Sequence, residues 1–294
     1  MLTRTIVQKT DIMIKLIADS TCDLPDDVIE KYDIDILPLH IVLGEKEYLD
    51  VFDISPDEIF AWVEEHDKAP KTSAISIEDT IETFSYYKDT ATEIICFSIS
   101  DKLSSTGNIM RLAAEELDME DQIHVVNSDN LSCGIGILIM ETIGMIEEGL
   151  GVSKIITELE KMKTQVKTSF VIDTLTYLHR GGRCSSIEAF AGNMIKLHPQ
   201  IIVEDGCMSA SKKYRGKMNA VIKSYVRDVT TKFITAKTKN LFIASVGCDK
   251  EIVEWVYEEI KRIGLFENIY IAQAGGVISS HCGPGTLGIF YIDE

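Results

Sequence analysis

The chain reads as a two-domain α/β protein, with a mostly parallel α/β domain over residues 13–165 and an α+β domain with a mixed sheet over 166–294. Three observations predict this. Strand-like and helix-like segments alternate up to about residue 165, the rhythm of parallel strands joined by crossover helices. The rhythm then breaks at a hairpin signal: Asp205-Gly206 stands between two extended runs, and Asp-Gly suits a type I′ turn. Finally, 294 residues are enough for two cores, since single hydrophobic cores stop growing near roughly 250–300 residues.

The elements follow in order. Residues 14–18 form a buried strand that ends at Asp19-Ser20-Thr21, before a helix over 24–32. Residues 34–43 make a second extended run. Ser55-Pro56-Asp57-Glu58 starts a helix, with Ser55 as N-cap, Pro56 in the first turn and Glu58 closing a capping box. Ser76 with Asp79 begins another, running through Tyr87. Then come a strand over 93–98, a helix over 106–117, a strand over 123–126 and a long apolar helix opened by Ser132. An amphipathic segment over 152–165 closes the first domain. In the second domain the pattern gives a strand over 168–172, a short helix over 174–179 and a Gly181-Gly182 break. The hairpin over 201–212 follows, then a helix over 217–232, a strand over 241–246 and a helix over 251–263. Strands over 269–272 and 288–292 complete the sheet.

Bulk chemistry removes several function classes. The formal charge of −18 opposes nucleic acid, whose phosphates require a basic footprint, and opposes adsorption to anionic membranes. An anionic ligand must therefore meet a local basic site. The seven cysteines are odd in number, scattered and without a CxxC pair, so a disulfide framework or a cysteine-based zinc site is not expected and a reducing cytoplasm is. The longest apolar stretch, residues 135–140, is far short of the ~20 residues that span a bilayer. Residues 1–12 carry no signal-peptide pattern and read as an extension or tag remnant.

Gly283-Pro284-Gly285-Thr286-Leu287-Gly288 matches the letters of a dinucleotide fingerprint, but six residues remain after it, too few for the helix and strand that the motif needs. There is no GxxxxGK[ST] and no GxSxG. The six histidines keep no zinc spacing. His40, His66, His124, His179 and His198 read as packed or surface imidazoles. His281 differs, standing between Ser280 and a Gly-Pro-Gly turn at the end of a strand pathway, where a loop brings an imidazole to a ligand. Thr72 in Lys71-Thr72-Ser73 and Ser104 in Leu103-Ser104-Ser105-Thr106 add hydroxyls, each of which could equally cap a helix. Arg180-Gly181-Gly182-Arg183 and Lys212-Lys213-Tyr214-Arg215 are basic islands, solvated surface or anion sites. Together the hydroxyls and the imidazole suit the polar head of a small ligand, a carboxylate with an apolar tail.

The same residues carry a likeness. Asp19-Ser20-Thr21-Cys22-Asp23-Leu24-Pro25, Lys71-Thr72-Ser73, Leu103-Ser104-Ser105-Thr106, Asn127-Ser128-Asp129 with Ser132 and Gly134, Tyr177-Leu178-His179-Arg180-Gly181-Gly182-Arg183, and Ser280-His281-Cys282-Gly283-Pro284-Gly285 occur in one order along the chain. In these it resembles the DegV family, whose members bind fatty acids and include the acyl-binding subunit of bacterial fatty acid kinase. The resemblance implies two α/β domains with a lipid tunnel beside their junction. It implies that Thr72, Ser104 and His281 hold the carboxyl head, with Ser73, Ser105, Thr106 and Gly283 shaping the head-group loop. It also implies that Arg183 and Arg215 lie near the mouth, where phosphate or a kinase docks. The ligand would be a long-chain fatty acid such as palmitate, stearate or oleate. The partner would be an ATP-dependent fatty acid kinase serving phospholipid metabolism, with no metal, no cofactor and no catalytic residue from this chain. The family usually has Leu-Ser-Gly-Thr; Ser105 stands in place of the glycine, where its Cβ and hydroxyl are expected to tighten the turn or add a donor. The family's Lys-Pro appears as Lys196-Leu197-His198-Pro199. Two other readings stay open: a stand-alone lipid carrier or sensor, and a lipid esterase using Ser104 and His281.

Overall fold

The structure is a computed structural model that describes residues 13–90, 92–183 and 197–294, Thr238 by its backbone alone. The expected extension over 1–12, Cys184 and Lys196 lie outside the described residues.

The N-terminal part contains β1 (Met13–Asp19), β2 (Asp35–Leu37), β3 (His40–Leu43), β4 (Lys46–Leu49), β5 (Lys71–Ser73), β6 (Thr92–Ser98) and β7 (Ile123–Asn127). Its helices are α1 (Asp26–Tyr32), α2 (Pro56–His66), α3 (Ile77–Ser85), α4 (Thr106–Glu116), α5 (Cys133–Glu147) and α6 (Val152–Met162). The C-terminal part contains β8 (Val166–Val171), β9 (Leu197–Glu204), β10 (Cys207–Arg215), β11 (Ala236–Val246), β12 (Asn268–Gln273) and β13 (Thr286–Asp293). With them are α7 (Thr176–Arg180), α8 (Met218–Thr230), α9 (Lys250–Ile263) and α10 (Gly276–Cys282).

A parallel four-stranded sheet runs β2-β1-β6-β7, and a small antiparallel sheet runs β4-β3-β5. Every strand from Val166 onward joins a mixed six-stranded sheet, β10-β9-β8-β13-β11-β12. This is the mostly parallel, then mixed, arrangement expected. The Asp205-Gly206 turn joins β9 to β10, with both residues at positive φ (48° and 73°) as a type I′ turn requires.

Four expectations need correction. The extended run over 34–43 is two strands in different sheets, because Pro38 lacks the N–H to continue a ladder. Thr72 caps no helix: it lies within β5, opposite Ile41 of β3. Ser132 does not cap α5; at φ 53° its hydroxyl turns away and donates to Asp23. His281 sits on α10, a helix where a loop was expected.

The strand sets part at Val166, but the packing does not. α5 is apolar on nearly every side, as a helix buried all round must be, and it packs against β11 and β13. One core cluster accordingly includes Ile135 and Leu138 of α5, Phe97 of β6, and Phe170 and Phe242 of the six-stranded sheet. Each such side chain contributes on the order of 1.5–3 kcal/mol on burial. The two parts are therefore joined through hydrophobic packing, and the polar residues at the joint are held by a stiff frame.

Candidate functional site

The joint brings five of the expected residues, Thr72, Ser73, Ser104, Arg183 and His281, to one cavity. β5 carries Thr72 in from the N-terminal part, and the turn after β6 carries Ser104. The last turn of α10 carries His281, and the Gly-Gly turn after α7 carries Arg183. The cavity encloses about 50 Å³. Apart from these five, its wall is largely apolar, including Leu39, Ile99, Leu131, Leu178, Met208 and Ile278. A second, smaller void of about 20 Å³ shares Leu131, Ile278 and Cys282 and runs on to Phe170, Ala244 and Phe290. Polar groups thus stand at one end of an apolar path.

The hydrogen bonds within the site define what it can donate. His281 Nε2 lies 2.8 Å from Thr72 Oγ1. Burial of the ring, and secondarily the Arg183 charge, push the His281 pKa down to about 4, so the imidazole is neutral at pH 7. Its Nδ1 is sealed from solvent, has no partner among the described residues, and faces Gly181, where an added Cβ would come within 2.1 Å. With the proton on Nε2, the imidazole donates to Thr72 and frees the Thr72 O–H to donate into the cavity; Nδ1 is then a bare acceptor, cheaper to bury than an orphaned donor. Ser104 behaves alike. Its Oγ accepts the Thr106 N–H at 3.3 Å and lies 2.9 Å from Thr106 Oγ1; a Thr106 O–H pointing at Ser104 leaves the Ser104 O–H free. Two free hydroxyl donors and one guanidinium meet the requirement of a carboxylate, which accepts and does not donate.

Arg183 is held for this place. Its Nη1 donates to Gly181 O at 2.8 Å, and Nε and Nη2 lie 3.5 Å from Leu103 O, so the guanidinium bridges the Gly-Gly turn and the segment bearing Ser104. Gly283, at φ 77° and ψ 168°, closes α10 against the Tyr177 ring. Thr106 is buried as the partner of Ser104.

Arg215 and Ser105 are not brought to the cavity wall. Arg215 is exposed at the end of β10; three residues on, Met218 lies 3.5 Å from where Gly285 would carry a Cβ, so this segment borders the Gly-Pro-Gly turn. Ser105 is exposed at the N-cap of α4 and makes no side-chain cap bond. Its φ of −83° is open to any L-residue, so the backbone accepts serine there without strain. Elsewhere on the basic islands Arg180 pairs with Asp67 and Lys212 with Asp228.

The esterase reading lacks its geometry. His281 bonds Thr72 and not Ser104, and among the described residues no carboxylate meets Nδ1 to orient the ring. Among the described residues no group of three or more His, Cys, Asp or Glu is arranged to hold a metal ion, and no helix is long and apolar enough to cross a membrane.

Sequence reasoning missed the polar layer beneath the cavity. Asp19, Asp23 and Asp50 are buried, at 0, 6 and 0 % exposure. Burial, the largest influence, raises Asp19 to about 6 and Asp23 to about 8, and raises Asp50 as well. A run such as Ile17-Ala18-Asp19, where a carboxylate ends a fully apolar strand, was the available signal.

The fold and the cavity define a class, a two-domain-like α/β protein enclosing an apolar space headed by hydrogen-bond donors. The family model described as "Uncharacterised protein, DegV family" matches residues 13–294, and the chain belongs to that family. A Thermotoga maritima relative described as a fatty acid-binding protein is 31% identical over 283 residues, covering 94% of this chain and 96% of its own. The structure of a fatty-acid-binding DegV family protein from Thermus thermophilus superposes with a TM-score of 0.88 at 30% identity, covering 96% and 99% of the two chains. The Streptococcus pneumoniae fatty acid kinase B3 protein, loaded with linoleic acid, shares the fold with a TM-score of 0.82 at 20% identity, covering 96% of this chain and 99% of its own.

Proposed function

We propose that this protein binds a long-chain fatty acid and presents its carboxyl group to a partner kinase for acyl-phosphate formation. The observation that carries the binding half is the placement of the Thr72 and Ser104 hydroxyls beside an apolar wall that continues to Phe170 and Phe290. The two domains, 13–165 and 166–294, would close on the ligand from either side. The relatives described as fatty-acid-binding support the same reading.

The energetics are consistent. Each CH₂ moved out of water contributes roughly 0.8 kcal/mol, so a sixteen-carbon tail gains on the order of 10 kcal/mol before ordering costs. The tail must part the wall of Leu131, Ile278 and Cys282 that divides the two voids. The head needs fixed donors, because a buried carboxylate without partners is strongly disfavoured. Thr72, Ser104 and His281 supply orientation, and the tail supplies affinity.

The kinase half rests on the chemistry of the mouth. A carboxylate oxygen attacks the γ-phosphorus of ATP, the bond to the β-phosphate oxygen breaks, and ADP leaves; positioning and charge neutralisation do most of this work. Arg183, held beside Ser104, would compensate the phosphoryl charge or dock the kinase, and exposed Arg215 would extend that surface. The test is to load the protein with oleate or stearate and add a fatty acid kinase with ATP. The expected result is acyl-phosphate formation, falling at least 10-fold per molecule of loaded protein with Arg183→Ala. Unchanged turnover in that variant removes the docking role. Loaded protein that the kinase never phosphorylates leaves the stand-alone carrier.

A further inference from the structure

His281 meets Thr72 from the last turn of α10, and the start of that helix is held from the other half of the chain. The Val277 N–H donates to Asp50 Oδ1 at 3.1 Å, and the Gly275 N–H donates to Asp23 Oδ1 at 2.8 Å. Each carboxyl group is fixed in turn. Ser20 Oγ donates to Asp50 Oδ2 at 2.7 Å while accepting the Leu39 N–H at 3.1 Å, and Ser132 Oγ donates to Asp23 Oδ2. The contact is close: a Cβ added to Gly276 would lie 3.1 Å from Asp50 Oδ1 and 2.6 Å from the Ile41 side chain. Val51, beside Asp50, stands at φ 64°, a conformation that β-branched residues rarely adopt. The backbone is thus strained at the point that turns Asp50 inward.

This network ends at the cavity on both sides. Leu39 and Val277, whose amides bond Ser20 and Asp50, both line it. His281 lies four residues beyond Val277, about 6 Å along the helix, so a shift at the start of α10 is carried directly to the imidazole. We propose that Asp50, with Asp23 beside it, is a positioning residue that sets α10 so that His281 orients the Thr72 hydroxyl toward the ligand's head group. The buried Asp19-to-Asp23 segment then has a purpose beyond packing. This inference rests on the fatty-carboxylate reading of the cavity.

The experiment measures affinity for oleate and for oleyl alcohol, which has the same tail and no carboxylate, in the wild type, Asp50→Ala, Asp50→Asn and Ser20→Ala. Nitrogen-15 NMR of His281 reports its tautomer in each. Asp50→Ala is expected to weaken oleate at least 10-fold, leave oleyl alcohol within 3-fold and erase the single Nε2–H signature. Asp50→Asn keeps an acceptor for Val277 and is expected to recover oleate binding to within 3-fold of the wild type. Ser20→Ala, which releases Asp50 without removing it, is expected to fall between; it carries the test if Asp50→Ala does not fold. Unchanged oleate affinity in Asp50→Ala and Ser20→Ala, or equal weakening of both ligands, overturns the positioning role. A wild type that binds neither ligand overturns the fatty-carboxylate reading instead.

Discussion

Replacing His281 with alanine is expected to weaken oleate binding about 30-fold, equivalent to about 2 kcal/mol. With its proton on Nε2 the imidazole donates to Thr72 Oγ1 and so turns the Thr72 O–H into the cavity. Without it that hydroxyl loses its orientation, and the buried carboxylate loses part of its solvation. A second readout tests the same arrangement. The folded imidazole has a pKa of about 4 against an ordinary value of 6.5. Between those values the unfolded chain binds a proton that the folded chain refuses, so stability falls as pH drops from about 6.5 to about 4. His281→Ala removes that loss, on the order of 3 kcal/mol across the window. Asp19 and Asp23 act with opposite sign, since their raised pKa values make the folded state take up protons, with stability lost as pH rises. Their effect largely cancels when variant and wild type are subtracted. Denaturant unfolding at a series of pH values checks this; parallel curves for the two proteins would contradict a buried neutral His281.

Replacing Gly283 with alanine is expected to cost about 3 kcal/mol or more of folding stability. Its φ of 77° with ψ of 168° lies in a region that essentially only glycine occupies. A Cβ would also stand 2.4 Å from the Tyr177 ring, too close for any contact without displacing it. Tyr177 belongs to α7, which leads into Gly181 and Arg183, so the damage spreads to the head-group wall. Gly181 shows the contrasting constraint: its backbone would accept alanine at φ −77°, and the His281 ring is what leaves no room. Urea unfolding measures the Gly283 effect, and a loss below about 1 kcal/mol would contradict the close packing of the turn.

Much of the fold was legible because its signals are local. The Ser55 capping box, the Ser76 cap and the Asp205-Gly206 turn declare themselves within four residues, and each is in place. Short elements held by distant partners were not legible. β4 and β5 are short strands of four and three residues with no buried position, and they exist because β3 pairs with both. At the start of α10 the amides of Gly275 and Val277 are answered by Asp23 and Asp50, more than 200 residues away in sequence. Thr72, Ser104, Arg183 and His281 could be picked out as chemistry, and the cavity unites them. Arg215 was grouped with them by sequence likeness, and the β9–β10 ladder leaves it on the surface. The buried aspartates carry no motif for a ligand; their role is visible only as hydrogen bonds to another part of the chain.

The most direct measurement is mass spectrometry of the lipid released on denaturing protein that was purified without added lipid. A stoichiometric fatty acid of fourteen to eighteen carbons is expected, whose length and unsaturation then define the chain this path accepts. Release of no lipid, together with failure of added palmitate and oleate to bind, would contradict the fatty-acid reading of the cavity.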